Sequence, residues 1–274
     1  MEKEKIQLDE HGETSLIPLY CRALETQRPN PIIKDDKAVE MINRFDYDFS
    51  QLKVPTGTYI TTCMRAKQYD NYVQSFLSNN PNGIIVSLGC GLDSRFNRVD
   101  NGKVEWFDLD LPNVIDIKRK FFQETERYHF IASSIMDFEW MNPLSQLSSR
   151  FLFIAEGVFM YLHEEEVKTL VLKLQEMFPE CELIFDAFSL ATVKRVHRHP
   201  SLKKTGAGTF WGLKDGQELE KWNNGIEFLE EWFFDQSEGV KQLSLGYRAI
   251  FRLVSKIPVG RKAHWLLRYR LASP

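Results

Sequence analysis

Gly89, Gly91, Asp108 and Asp110 are the residues of this chain whose types and spacing point most directly to chemistry. Two glycines separated only by Cys90 let the backbone turn tightly and let a bulky ligand lie against the main chain. An acid at the end of the strand that follows such a turn can accept hydrogen bonds from both hydroxyls of a ribose. Together they suggest a nucleoside-containing cofactor bound at the carboxyl ends of neighbouring strands.

The flanking sequence supplies the elements that must hold these groups. Ile84, Ile85, Val86 and Leu88 are apolar on both faces, as a central parallel strand requires. Val104 to Leu109 reads as the next strand. Pro112 opens a helix over Asn113 to Phe122. Tyr128 to Ser134 is a third strand and Phe151 to Ala155 a fourth. Glu164 to Phe178 is an amphipathic helix with three glutamates in its first turn, and Leu183 to Phe188 is a fifth strand. Strand and helix alternate, which implies right-handed crossovers and a doubly wound, mostly parallel α/β sheet. Further on, Ser189 to His199 is a candidate helix, Ser201 to Gly216 a loop, Ile226 to Phe234 a strand, Gly246 to Lys256 a helix and His264 to Leu271 a last strand.

Residues 1–80 read differently. After a polar start come TSLIPLYCRA, apolar with a proline inside, and DDKAVEMINRF, an amphipathic pattern. From Tyr59 to Leu77 apolar residues recur at helical spacing, and Asn79, Asn80, Pro81, Asn82 and Gly83 end that helix. The expected organisation is a helical N-terminal cap over residues 1–80, then the sheet over 81–274 with a late insertion around 200–225.

Composition narrows the function classes. The chain has 274 residues, 43% of them hydrophobic and 27% charged, enough for a substantial core. A net charge of −3 gives no reason to expect nucleic acid or an anionic membrane as the main partner. The four cysteines are far apart with no CxxC pair, which argues against a zinc site or a disulfide framework and for reduced thiols in a cytoplasmic protein. MEKEKIQLDEHGE lacks the apolar core of a signal peptide, and no apolar run approaches a membrane span. A monomer or homodimer is the expected assembly.

A nicotinamide enzyme needs a third glycine in G-x-G-x-x-G. Gly91 is followed by Leu92, Asp93 and Ser94, so that glycine is missing and an NAD-dependent oxidoreductase is disfavoured. G-x-G followed by Leu-Asp suits a sulfonium cofactor better, because a carboxylate lies where a cationic ligand must sit.

LGCGLDSRF, WFDLDLP, IASSIMD and FIAEGVFMYL resemble the leucine carboxyl methyltransferase superfamily, in its branch of bacterial O-methyltransferases akin to the tetracenomycin-type polyketide enzymes. The resemblance extends to ETSLIPLYCRALE and DYDFS near the start and WGLKDGQELEKW near the end. It implies a seven-stranded Rossmann-like methyltransferase sheet with a helical N-terminal cap. It also implies S-adenosylmethionine as cofactor, S-adenosylhomocysteine as product, and a carboxylate or hydroxyl of a polyketide-like small molecule as acceptor. Methylation of a protein C-terminus is the alternative within the family.

By the same resemblance Arg65 matches an arginine that reaches the methionine carboxylate, a task suited to a guanidinium. Gly89, Cys90 and Gly91 approach the methionyl part. Asp110 matches the ribose acid, with Asp108 as a helper or a simple strand end. Ser134 and Ile135 match the pair flanking the adenine, where the family often carries an aspartate at the position of Ser134. Glu156 matches an acid near the cofactor's amino group and the reaction centre. The plain readings of Arg65 and Glu156 are a solvated helix arginine and a helix-capping acid.

Tyr161, taken with Glu156 as a catalytic candidate, and His163 follow the fourth strand, where they either line the pocket or serve packing and a helix start. Tyr20 and Arg22 are candidates to close over the substrate. His197 and His199 read as solvated, and Arg268 and Arg270 as the solvent face of an edge strand. Phe210, Trp211 and Trp222, in the late segment, point to an apolar or aromatic acceptor pocket. A phenol acceptor needs a base and a carboxylate does not; no unambiguous base is legible, which favours a carboxylate.

Overall fold

The computed structural model describes residues 4, 13–196 and 208–274. Seven strands form one sheet: β1 (Ile84–Leu88), β2 (Glu105–Asp110), β3 (Tyr128–Ala132), β4 (Phe151–Ala155), β5 (Cys181–Phe188), β6 (Ile226–Trp232) and β7 (His264–Leu271). Their order across the sheet is β3-β2-β1-β4-β5-β7-β6. The first five strands pair in parallel, and β7 runs antiparallel to both β5 and β6. The chain reverses its direction of winding at β1, between β2 and β4. In a doubly wound sheet that is where ligands bind, beyond the carboxyl ends of the strands.

β1 is buried along its whole length. Ile84, Val86 and Leu88 pack into one core layer and Ile85 into the other, so the apolar run seen in the sequence serves both faces. One layer lies under the helix Glu164–Met177, whose Val167, Leu170, Val171 and Leu174 are buried. The His163 backbone N–H donates to Glu166 Oε2 at 2.7 Å and fixes that helix's start.

The other layer lies under three N-terminal helices: α1 (Leu16–Thr26), α2 (Asp36–Arg44) and α3 (Thr56–Asn79). Pro18 falls in the first turn of α1, where a backbone N–H has no helical partner to lose. Asp35 caps α2 by accepting from the Ala38 N–H. Tyr69, Tyr72, Val73, Phe76 and Leu77 of α3 are buried against the sheet.

Several expectations shift. β2 starts one residue later and includes Asp110. The helix after it spans Pro112–Lys118 and stops short of Phe122. β7 is not an edge strand: it lies between β5 and β6, and its Arg268 and Arg270 pair across strands with Glu182 and Glu227 at 2.8 and 2.6 Å. His197 and His199 lie outside the described residues.

Candidate active site

A cavity of about 520 Å³ opens beyond the carboxyl ends of β1, β2 and β4. Arg65, Gly89, Cys90, Gly91, Asp110, Ser134, Ile135, Glu156 and Tyr161 all line it. Residues distant in the sequence are gathered there because each follows a strand end or, for Arg65, lies on the helix packed over them.

The glycine turn is shaped for close approach. Gly89 has φ +63° and Gly91 φ +50°, a region that favours glycine. A Cβ on Gly89 would stand 2.7 Å from Val158 Cγ2, and one on Gly91 3.0 Å from Ser15 Cβ. Across the turn, the Gly91 and Leu111 N–H groups donate to the two oxygens of Asp110, both at 2.7 Å. Burial pushes the Asp110 carboxyl upward, and these two donors work against that. Each oxygen keeps a lone pair for a further donor, which a vicinal diol could supply.

Asp108 has a different role from the one expected. It is buried and does not line the cavity. It accepts from Trp106 Nε1 at 2.8 Å, the Tyr128 hydroxyl at 2.5 Å and the fully buried Lys118 ammonium at 2.6 Å. Its acceptor capacity is used within the core, so it is a structural acid and not a cofactor contact.

Arg65 is not a solvated helix arginine, nor is Glu156 a helix cap. Arg65 Nε donates to Glu156 Oε1 at 2.9 Å, and Arg65 NH1 to Asp186 at 3.0 Å. Glu156 also accepts from Arg95 at 2.5 Å. Arg95 in turn pairs with Asp70 of α3 at 2.7 Å and with Asp93 of the glycine turn at 2.6 Å. One buried guanidinium therefore joins α3, the turn and the end of β4. Arg98 pairs with Asp70, Asp93 and Asp35, and Arg22 with Asp35 at 2.8 Å, which ties α1 and α2 into the same network. Burial acts to raise Asp93 and Asp186, yet the neighbouring guanidiniums hold both well below the usual carboxylate range.

Asp186 and His264 were not singled out in the sequence. Asp186, fully buried in β5, accepts from the Gly157 N–H at 2.6 Å, the Tyr69 hydroxyl at 3.2 Å, Arg65 and His264 Nε2 at 2.6 Å. His264, the first residue of β7, lines the cavity. The one legible signal was an acid inside the otherwise apolar LIFDAF, since a buried carboxylate must be paired. Arg95 stood within the quoted motif LGCGLDSRF without being assigned.

The other candidates separate. Arg22 lines the cavity but is buried in the ion network; Tyr20 stacks on Phe49 away from it. His163 starts a helix and packs on Phe210. Trp211 and Trp222 pack together, Trp211 against Phe159 and Phe185 of the core, and Phe210 is half exposed. None of those three aromatic residues lines the cavity, so they do not form an acceptor pocket. Its apolar wall comes instead from residues such as Ile17, Pro18, Val158, Met160, Leu162 and Phe188.

Residues 15–175 match the family model of the leucine carboxyl methyltransferases. The chain belongs to the leucine carboxyl methyltransferase family. It is 32% identical over 267 residues to the tetracenomycin polyketide synthesis O-methyltransferase TcmP of Streptomyces glaucescens, covering 97% of this chain and 98% of that protein. It is 30% identical over 256 residues to the S-adenosyl-L-methionine-dependent methyltransferase dpfgK of Gibberella zeae, covering 85% of each. Among solved structures, a DUF574 family protein of Streptomyces avermitilis superposes with a TM-score of 0.60 at 12% identity, over 95% of this chain and 97% of that one. A putative methyltransferase of Thermobifida fusca gives 0.56 at 13%, over 92% and 94%. These two likenesses speak to the fold. The family's match spans α1 to the helix after β4, the segment that carries every expected lining residue.

Proposed function

We propose that this member of the leucine carboxyl methyltransferase family methylates an oxygen of a small, largely apolar, polyketide-like acceptor, with S-adenosylmethionine as donor. It is a S-adenosylmethionine-dependent methyltransferase. The observation that carries the reading is the union, in one cavity, of the Gly89–Gly91 turn, Asp110 at the end of β2, and the Arg65–Glu156 pair. The likeness to TcmP supports oxygen as the accepting atom and a polyketide-like acceptor.

The residues present fit the cofactor. Asp110 offers lone pairs to the ribose diol, and the glycine turn presents backbone rather than side chain to the cavity. Arg65 is held in place through Nε and NH1, which leaves NH2 for the methionine carboxylate. Glu156 supplies negative charge for the ammonium. Ser134, Ile135 and Met136, which line the cavity, would flank the adenine.

When bound, S-adenosylmethionine supplies an electrophilic methyl group on a sulfonium. The chain's own residues then act by orientation and by excluding water. The apolar wall lowers the local dielectric around the acceptor. Tyr161 is pushed up to about 12 by burial and stays a neutral phenol at pH 7, so it positions and does not remove a proton. Glu156 is held by two arginines and is not a free base. A carboxylate acceptor needs none. A second reading, a hydroxyl acceptor, is favoured by His264, which lines the cavity with Nε2 on the ionised Asp186 and so can keep a lone pair on Nδ1.

Incubation with methyl-labelled S-adenosylmethionine and either small-molecule extract or total cell protein tests the proposal. Label in the small-molecule fraction supports it; label in protein C-termini assigns the family's other acceptor class. Mild alkali then separates the two oxygens, since a methyl ester releases labelled methanol and a methyl ether does not. No label in any fraction would sink the proposal.

A further inference from the structure

Five of the nine large hydrophobic residues exposed among the described residues fall between Leu245 and Ile257. The helix Leu245–Val254 and the turn after it expose Leu245 (81%), Ile250 (54%), Leu253 (63%), Val254 (38%) and Ile257 (50%). No residue of that helix is buried; only Tyr247 and Phe251 are partly covered, and they pack on the core. Its outer face is therefore an apolar stripe that no other described residue covers.

Charge marks the edge of the same stripe. Arg248 and Arg252 stand at i and i+4 and form a row beside the apolar residues, and Lys256 follows in the turn after the helix. All three are exposed and make no ion pair among the described residues. From Gly239 to Arg270 the sequence has no acid at all, in a chain whose net charge is −3. The cations near the core are already neutralised: Arg261 pairs with Asp235 and Lys262 with Glu231. The outer row is not.

We propose that this helix docks the protein on an anionic lipid surface, lying in the headgroup plane with its aliphatic stripe inserted and its basic row on the phosphates. An aliphatic stripe beside a row of basic residues is the pattern of interfacial helices. Charge complementarity selects an anionic surface over a neutral one. The large hydrophobic residues exposed on the stripe are all aliphatic, with no Trp or Tyr among them, whereas protein interfaces concentrate their energy in such aromatic anchors. A second copy of this chain would bring like-charged rows together in a two-fold contact. The docking is peripheral: among the described residues no helix is long and apolar enough to cross a membrane.

Docking of this kind is independent of the acceptor and is read without catalysis. Full-length protein is sedimented with vesicles of phosphatidylglycerol and phosphatidylcholine, or of phosphatidylcholine alone. Binding is expected to the mixed vesicles only, and to weaken as salt screens the row. The double variant R248Q/R252Q is expected to bind about 25-fold more weakly, at roughly fivefold per cation. I250S/L253S is expected to lose binding while keeping the wild-type circular dichroism and cofactor affinity, since both side chains are exposed. Three results would overturn the proposal. One is no sedimentation with mixed vesicles. The second is equal binding to neutral ones, or by the variants. The third is a wild-type dimer that I250S/L253S converts to monomer, which would assign the stripe to a second copy. Retention on polyglutamate without vesicle binding would assign it to an acidic protein.

Discussion

Substituting Gly89 by alanine probes the turn on which the cavity is built. Two separate costs follow from its geometry. At φ +63° an L-residue with a side chain is strained by about 1–2 kcal/mol. The new Cβ would also stand 2.7 Å from Val158 Cγ2, against an optimal carbon separation of roughly 3.5–4.0 Å. Relieving that overlap costs about 1–3 kcal/mol, the usual range for overpacking. Val158 itself lines the cavity, so its displacement also intrudes on the cofactor. The expected loss of stability is therefore about 2–5 kcal/mol, the sum of the two ranges, read as a lower urea midpoint with an unchanged slope. Adding Val158→Ala removes the overlap and leaves the backbone strain. The double variant is expected to be more stable than the two single changes added together, by about 1–3 kcal/mol of coupling. Titration calorimetry on the same proteins should show weakened cofactor binding in Gly89→Ala and partial recovery in the double variant. A wild-type urea midpoint together with undiminished binding in Gly89→Ala would refute this account of the turn.

Asp110→Asn should weaken S-adenosylmethionine binding by between about 10- and 150-fold, the value of one or more hydrogen bonds to a charged acceptor, and lower stability in urea by about 1–3 kcal/mol, because its NH2 must face the Gly91 or Leu111 N–H. Arg95→Met leaves Asp70, Asp93 and Glu156 without a shared partner. It should destabilise the fold by about 3–5 kcal/mol in urea unfolding, and Arg95→Lys should recover only part of that. Asp35, Asp93 and Asp186 all have carboxyls depressed in the folded state. Their contribution is fully present above the unfolded value near pH 4 and is lost as pH falls through the folded values. Urea midpoints should be insensitive to these three groups from pH 5 to 7 and drop steeply below about pH 4; a flat profile down to pH 2 would count against the buried network.

Much of this site was legible because local chemistry dictated it. A strand apolar on both faces, a glycine turn with no third glycine, and an acid closing the next strand are constraints that act within a short stretch of chain. That is why β1, β4 and β7 have the expected bounds and nine of the ten expected site residues line one cavity. What was not legible depends on tertiary pairing. Asp108 and Asp110 look alike in sequence, and only the positions of Lys118, Trp106 and Tyr128 assign the first to the core. Arg95 is linked to Asp186 and His264 only through Glu156 and Arg65, across α3, the turn, β5 and β7, and no spacing rule brings them together. Trp211 and Trp222 read as pocket aromatics until the core claimed them. Pairing on both sides of β7 likewise turned an expected edge strand into an interior one.

Titration calorimetry of the intact protein with S-adenosylmethionine tests the central claim most directly. The cavity formed by the glycine turn, Asp110 and Arg65 predicts saturable binding of one cofactor per chain. Absence of binding heat up to millimolar cofactor, from a folded protein and at more than one temperature, would contradict it.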